Sequence, residues 1–133
     1  MLRRMLRAKI HRATVTGCDP DYVGSLTVDA DLLAAVDIRP NEAIWVYDID
    51  NGVRFETYII RGEAGSGVMM LNGAAAKLVE VGHKIIVACY AYVDHADVDQ
   101  HVAHVVVVDE HNRPAQHFRY DSVIEAAENA TLI

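Results

Sequence analysis

Residues 43–60 read Ala-Ile-Trp-Val-Tyr-Asp-Ile-Asp-Asn-Gly-Val-Arg-Phe-Glu-Thr-Tyr-Ile-Ile, and they decide the fold class because two strand-like runs flank a tight turn. Asp50-Asn51-Gly52 is the strongest turn signal in the chain, since Asn-Gly suits the positive φ angles of a short hairpin loop. We therefore predict a β-hairpin with strands at residues 43–49 and 54–60.

Short strand-like runs recur on both sides of this hairpin. They alternate between two faces or are briefly apolar, and turn residues bound them. Because strands outnumber helices, we predict a mostly β barrel or sandwich that forms one domain over residues 1–133. The predicted additional strands are residues 8–16, 26–28, 68–71, 84–92 and 105–108.

Helical patterns are few. Asp29 is a capping acid ahead of Leu32, Leu33 and Val36, which share one helical face, so a first helix is predicted there. A final helix is predicted over Tyr120 to Ala130. We expect it to cap the barrel or to mediate contacts between subunits.

Composition describes an ordinary folded globule and excludes some functions. Of the 133 residues, 52% are hydrophobic and 23% charged, which lies outside the disordered range. The net charge of −7 argues against general nucleic-acid binding, which usually needs a basic surface. The basic start at residues 1–7 has no apolar stretch behind it, so we predict a cytoplasmic protein without a membrane segment.

Three further features are interpreted as structural. Cys18 and Cys89 lack metal-ligand spacing and are expected to be free thiols. The glycine-rich loop at residues 62–67 is expected to be a plain turn, because no Gly-Lys-Ser or Gly-Lys-Thr follows. The segment rich in His and Asp at residues 94–111 matches no recognised ligand set, so we predict a hydrated polar loop and no metal site.

The stretch Asp21-Tyr22-Val23-Gly24-Ser25-Leu26 carries the chemistry that the composition cannot indicate. A hydroxyl beside an unhindered glycine carbonyl can attack that carbonyl through a five-membered ring, which converts the amide into an ester. Elimination across Ser25 would then cut the chain after Gly24 and leave dehydroalanine, which hydrolyses to a pyruvoyl group. The alternative is that Gly24-Ser25 only serves a turn.

Five motifs and Arg54 together resemble the pyruvoyl-dependent aspartate 1-decarboxylases, from Met1 to about Tyr92. The resemblance implies a double-psi β-barrel, a homotetramer with pockets between subunits, and decarboxylation of L-aspartate to β-alanine for pantothenate and coenzyme A synthesis. It also implies a self-generated pyruvoyl group in place of pyridoxal phosphate, and no metal. The motifs are Lys9-Ile10-His11-Arg12, Tyr22-Val23-Gly24-Ser25, Asn51-Gly52, Thr57-Tyr58 and Asn72-Gly73-Ala74-Ala75-Ala76.

The resemblance also implies roles for the residues around the cleavage site. Cleavage between Gly24 and Ser25 would give chains 1–24 and 25–133, with Ser25 as the pyruvoyl precursor that forms a Schiff base with the substrate. Tyr58 matches the proton donor, which suits a phenol protonated at neutral pH. Thr57 matches a residue that hydrogen-bonds the cleavage-site carbonyl and later the substrate. Without the family, both would be ordinary strand residues.

The remaining matches would bind the dicarboxylate substrate. Arg54 suits a carboxylate because its planar fork reaches both oxygens, and Lys9 matches a second cation of the family pocket. Gly73, Ala74 and Ala75 match a stretch that binds substrate largely through its backbone. The alternatives are solvated strand charges and a tight structural turn.

Two observations are difficult to reconcile with these assigned roles. Arg54 and Tyr58 share a strand face about 13 Å apart, while Thr57 points to the opposite face. A bulge near Thr57 or a site shared between subunits would resolve this, and we favour the shared site. Asp21 and Asp19-Pro20 depart from the family pattern. Slower cleavage at Gly24-Ser25 and assistance by a maturation factor therefore stay open as alternatives to rapid, unassisted cleavage. A non-catalytic β-barrel binding or assembly module is the alternative function.

Overall fold

The computed structural model describes residues 1–125, and β-strands dominate that part of the chain. They form one nine-stranded sheet in the order β2-β6-β3-β5-β4-β7-β1-β8-β9. The predicted mostly β class is confirmed, and this pairing is compatible with a small barrel. The strands are β1 (Leu2–Thr14), β2 (Gly17–Asp19), β3 (Ser25–Asp29), β4 (Ala43–Asp48), β5 (Arg54–Gly62), β6 (Met69–Asn72), β7 (Lys84–Asp94), β8 (Val102–Val108) and β9 (Pro114–Asp121).

Most neighbouring strands are antiparallel, with three exceptions. β2 pairs with β6, β3 pairs with β5 and β1 pairs with β8 in parallel register. β3 therefore lies between an antiparallel neighbour, β6, and a parallel neighbour, β5. This arrangement brings two segments that are distant in sequence, β5 and β6, to the start of β3.

The β4–β5 hairpin forms where the Asn-Gly signal predicts it. Gly52 has φ of 76°, and its N–H donates to the Asp48 carbonyl over 2.9 Å. The Asp48 carboxylate accepts from the N–H groups of Asp50 at 2.8 Å and Asn51 at 3.2 Å. The turn is thus fixed by local chemistry, and this prediction is confirmed.

The first helix, α1 (Ala30–Val36), is capped as predicted by Asp29, whose carboxylate accepts the N–H of Asp31 over 2.8 Å. The same carboxylate accepts the N–H groups of Gly65 at 3.0 Å and Gly67 at 2.8 Å. The glycine-rich loop is therefore a turn, as predicted, and its backbone donors are used to hold a buried carboxylate. The helix ends at Val36, and the C-cap residue Asp37 adopts a left-handed conformation.

The core lies against one face of the sheet and receives the apolar side of α1. Each fully buried aliphatic side chain contributes about 1.5–3 kcal/mol relative to exposure. The largest fully buried residues are Ile10, Val15, Leu26, Val28, Leu32, Ile38, Ile44, Val46, Ile59, Met69, Leu71 and Ile85.

The prediction of a final helix from Tyr120 is wrong within the described residues. Tyr120 and Asp121 belong to β9, residues 122–125 are not helical, and the rest of the predicted helix lies outside the described residues. β8 offers an open row of backbone donors and acceptors, and pairing with it overrides the local helical pattern.

Two short 3₁₀ helices replace predicted irregular segments. Gly73–Lys77 forms one where a bend was expected, and His95–Gln100 forms the other within the predicted polar loop. No helix in residues 1–125 is long and apolar enough to cross a membrane.

Candidate active site

Ser25 is the most unusual residue of the described chain in its backbone geometry. It is 1% exposed and begins β3 with φ of 147°, a positive angle that is rare outside glycine. Such strain costs of the order of 1–3 kcal/mol and persists only where the surroundings impose it. The Gly24-Ser25 peptide is therefore held in a conformation that a free chain avoids.

Asn72 pairs directly with Ser25 across β3 and β6. Its Nδ2 donates to the Ser25 hydroxyl over 3.4 Å and to the Thr27 hydroxyl over 2.9 Å. Its Oδ1 is buried and has no hydrogen-bond partner among the described residues. A buried acceptor without a partner is costly, so this amide is a functional candidate. Asn72 belongs to the motif Asn72-Gly73-Ala74-Ala75-Ala76, but no sequence pattern predicts a role for its side chain.

Gly73 lies against the backbone of Gly24. It has φ of 67°, and a Cβ placed on it would lie 2.6 Å from the Gly24 Cα and 3.1 Å from the Gly24 nitrogen. Only a glycine permits this approach. Ala74 is exposed and Ala75 half-buried in the 3₁₀ helix that follows, so small side chains leave this backbone accessible beside Gly24.

Thr57 and Tyr58 belong to β5, which flanks β3 on the side opposite β6. In the parallel β3–β5 pairing Leu26 is opposite Ile59. Continuing that register sets Tyr58 level with Ser25 and Thr57 level with Gly24. Thr57 is half-buried, whereas Tyr58 is 38% exposed and can meet a molecule from solvent.

Arg54 and Lys9 lie away from Gly24-Ser25 when positions are measured along the sheet. Arg54 begins β5, about 13 Å from Tyr58 at 3.3 Å per residue. Lys9 lies on β1, three strand spacings or about 14 Å from β5. The β4–β5 pairing runs without a register shift from Tyr58 to Arg54, so the suggested bulge near Thr57 is not found.

A cluster of two carboxylates and an imidazole connects two turns of the chain, and it is separate from the Gly24-Ser25 peptide. Asp48, Asp50 and His83 bring ligand-type atoms within 4.8 Å of one another, the one such grouping found in residues 1–125. The Asp48 carboxylate lies 2.6 Å from His83 Nδ1 and accepts two backbone N–H groups besides. Its hydrogen bonding is thus filled by the protein. No local sequence pattern indicates this pairing, because Asp48 and His83 are 35 residues apart.

Both cysteines are free thiols, as predicted. Cys89 is buried, with its sulfur 3.2 Å from an Arg7 nitrogen and 3.3 Å from a Glu42 oxygen. Burial raises the pKa of Cys89, and burial also raises the pKa of Cys18. Both sulfurs therefore stay protonated and are poor nucleophiles.

The strained, buried Ser25 follows an unhindered glycine, and the Asn72 amide and Gly73 flank it. These features define a β-rich protein whose candidate reactive group is part of its own backbone. The family model for aspartate decarboxylase matches residues 1–115. An aspartate 1-decarboxylase of Staphylococcus aureus (strain MSSA476) is 51% identical over 112 residues, 84% of this chain and 88% of the relative. One of Bacillus cytotoxicus is 50% identical over 113 residues, 85% of this chain and 89% of the relative. The chain belongs to the aspartate decarboxylase family.

Proposed function

We propose that this protein decarboxylates L-aspartate to β-alanine and carbon dioxide, as the names of its relatives indicate, and that it thereby supplies pantothenate and coenzyme A synthesis. We further propose that it acts after cleaving itself between Gly24 and Ser25 into chains 1–24 and 25–133. A pyruvoyl group generated from Ser25 would supply the electron sink for decarboxylation, without pyridoxal phosphate or a metal. We expect this chemistry in the cytoplasm.

The φ angle of Ser25 is the observation that carries the proposal. Substituents on a tetrahedral carbon are about 120° apart in projection, so φ of 147° leaves the Ser25 Cβ about 30° from eclipsing the Gly24 carbonyl carbon. In an ordinary strand this torsion is about 120°. Closing a five-membered ring from Oγ to that carbon needs a small torsion. This position of Cβ supports attack by Oγ on the Gly24 carbonyl carbon.

The cleavage steps balance with the chain's own atoms and one water. Ser25 Oγ bonds to the Gly24 carbonyl carbon, the C–N bond breaks, and the hydroxyl proton ends on the freed amine. Loss of the Ser25 Cα proton then forms the Cα=Cβ double bond, breaks the Cβ–Oγ bond of the ester and leaves Gly24 as a carboxylate. Water adds to the resulting dehydroalanine, and ammonia leaves.

Two neighbours suit the acyl shift. Asn72 donates a long hydrogen bond of 3.4 Å to the Ser25 hydroxyl, which favours a rotamer that keeps Oγ next to β6. Thr57, level with Gly24, can donate to the carbonyl oxygen as negative charge develops there, which is how positioned donors accelerate acyl transfer. Release of the backbone strain at Ser25 favours the same step.

The substrate would be bound and protonated by residues around the new terminus. Tyr58 is level with Ser25 and would donate the proton that replaces the lost carboxylate. The backbone at Gly73, Ala74 and Ala75 would hold the substrate beside it. Arg54 and Lys9 would bind the two carboxylates.

The distance of Arg54 and Lys9 from Gly24-Ser25 supports a site shared between subunits. We propose a homotetramer in which a neighbouring copy supplies the missing cations to each pocket. A monomeric form with full activity would contradict this part of the proposal.

A maturation factor stays a candidate partner because of the approach to the cleavage site. Asp19 and Asp21 lie in a local turn, in which the Asp21 N–H donates to the Asp19 carboxylate over 3.0 Å. This turn precedes Gly24 and differs from the family pattern. Comparing cleavage of the purified chain with cleavage in cell extract tests whether assistance is needed.

Ser25→Ala tests the proposal as a whole. This variant should fold, remain one chain, and produce no β-alanine from L-aspartate. Turnover by uncleaved Ser25→Ala protein would exclude the pyruvoyl mechanism. A folded wild-type chain that neither cleaves nor turns over would favour the alternative, a binding or assembly module.

A further inference from the structure

Two arginine–tyrosine stacks meet on the outer face of the sheet. The Arg54 guanidinium carbon lies 4.7 Å from the Tyr47 ring centroid, and that of Arg4 lies 4.3 Å from the Tyr90 centroid. The two phenol oxygens are 2.6 Å apart. These four side chains, Arg54, Tyr47, Tyr90 and Arg4, form one continuous contact that we call the tyrosine bridge.

The hairpin sets the geometry of the Arg54 end of the bridge. Tyr47 and Arg54 are direct partners across β4 and β5, so their side chains leave the sheet on the same side. Trp45 stacks beside Tyr47 with an interplanar angle of 23°. The Tyr47 ring is therefore held from the side by Trp45 and at its hydroxyl by Tyr90.

Arg54 has no carboxylate partner in the described part of the chain. The salt bridges found in residues 1–125 involve other cations, among them Arg7 with Glu42 and Arg39 with Asp37. A guanidinium stacked on an aromatic face keeps its N–H donors free at the edge. Arg54 is exposed, so those donors can meet a ligand from solvent.

We propose that Tyr47 is a positioning residue for Arg54 and that the Tyr90 hydroxyl fixes the tilt of the Tyr47 ring. The inference rests on the proposed function, in which Arg54 binds a substrate carboxylate. A guanidinium that is already oriented loses less side-chain entropy when the carboxylate binds. Orienting Arg54 strengthens binding equally in the ground state and in the transition state. Removing the Tyr47 ring should therefore raise KM and leave kcat unchanged.

The contact between Arg54 and the Tyr47 ring should not change with pH around neutrality. Burial, reinforced by the hydrogen bond to Tyr90, raises the pKa of Tyr47 to about 12. Tyr47 therefore stays a neutral phenol, and its ring face keeps attracting the cation.

Tyr47→Leu removes the ring face, and Tyr47→Phe keeps it. We expect Tyr47→Leu to raise KM for L-aspartate about two- to fivefold, the range expected for losing an exposed cation–π contact, at constant kcat. Tyr47→Phe should recover most of this loss. Tyr120→Leu is the control, because Tyr120 lies on the edge strand β9 and pairs with Ala103 rather than with a member of the bridge, so both constants should stay unchanged.

A double-mutant cycle with Arg54→Lys separates positioning from a general structural effect. Lysine keeps the charge and lacks the planar fork, so Tyr47→Leu should raise KM by a smaller factor in that background than in the wild type. The same factor in both backgrounds, or no change of KM in Tyr47→Leu alone, would overturn the inference. Tyr47→Met is measured in parallel, and it decides the outcome if the leucine variant does not fold.

Succinate binding, measured by calorimetry on each variant, distinguishes failure of this inference from failure of the proposed function. If the wild type neither cleaves nor turns over, but Tyr47→Leu weakens succinate binding two- to fivefold only when Arg54 is present, the positioning role stands and the function fails. If turnover is normal and the cycle shows no coupling, the positioning role fails alone.

Discussion

The Cα of Gly24 lies 2.6 Å from the position that a β-carbon on Gly73 would occupy. Gly73→Ala should therefore displace the backbone at the cleavage site and also strain a residue with φ of 67°. We expect slow or absent cleavage, together with a loss of about 1–3 kcal/mol in the free energy of unfolding. Denaturing electrophoresis over time and urea titration measure the two effects.

Gly52→Ala is the control for backbone strain alone. Gly52 has φ of 76°, but a β-carbon there meets nothing within 4 Å. This variant should lose about 1 kcal/mol of stability and cleave at the wild-type rate. Equal cleavage in both alanine variants would show that the close approach of Gly73 has no role.

Tyr58→Phe separates cleavage from turnover. The phenol hydroxyl plays no part in the acyl shift proposed for Ser25, so the variant should still give two chains. Loss of a positioned proton donor should lower kcat by about 10²- to 10⁴-fold. Steady-state kinetics on fully cleaved protein measure this, and a normal kcat would remove Tyr58 from the mechanism.

His83 should make stability depend on pH. Its hydrogen bond to Asp48 raises the pKa of His83 above the ordinary value of 6.5, and the charges of Asp48, Asp50 and Glu80 act in the same direction against burial. The stabilisation is fully present below the ordinary pKa and is lost as pH rises through the raised one.

Urea denaturation across this pH range compares the wild type with His83→Gln. The wild type should lose free energy of unfolding as pH rises, and the difference between the two proteins should shrink accordingly. Asp48→Asn should flatten the wild-type dependence in the same way. A constant difference between wild type and His83→Gln at every pH would contradict this account.

Asp29 should have the opposite dependence on pH. Burial alone would raise the pKa of Asp29, but backbone hydrogen bonds from Gly67, Asp31 and Gly65 outweigh it and lower the pKa. Its contribution is present above the ordinary pKa and is lost as pH falls through the lowered one. Asp29→Asn should cost about 1–3 kcal/mol at neutral pH, and less in acid. Asp31→Asn, whose side chain is exposed, should cost much less.

Local chemistry explains which parts of the fold could be predicted. The Asn51-Gly52 turn and the Asp29 cap depend on residues within one turn of the chain, so the sequence indicates them directly. The helix predicted to begin at Tyr120 does not begin there, because Tyr120 pairs with β8, a different segment of the chain, and this pairing sets its conformation. A local periodicity does not contain that information.

The candidate site divides in the same way. The dipeptide Gly24-Ser25 and the family resemblance predict the position of the candidate site in the sequence. The φ angle of Ser25 and the contact of Gly73 with Gly24 depend on how β3, β5 and β6 meet, which no short pattern encodes. The Tyr47–Tyr90 contact joins residues 43 apart in the chain and was likewise missed.

Intact mass under denaturing conditions, before and after warming the purified protein, tests self-cleavage most directly. We expect two chains, residues 1–24 and residues 25–133, the second with the mass of a pyruvoyl terminus in place of serine. A single 14.7 kDa chain that persists after warming and after addition of cell extract would contradict it.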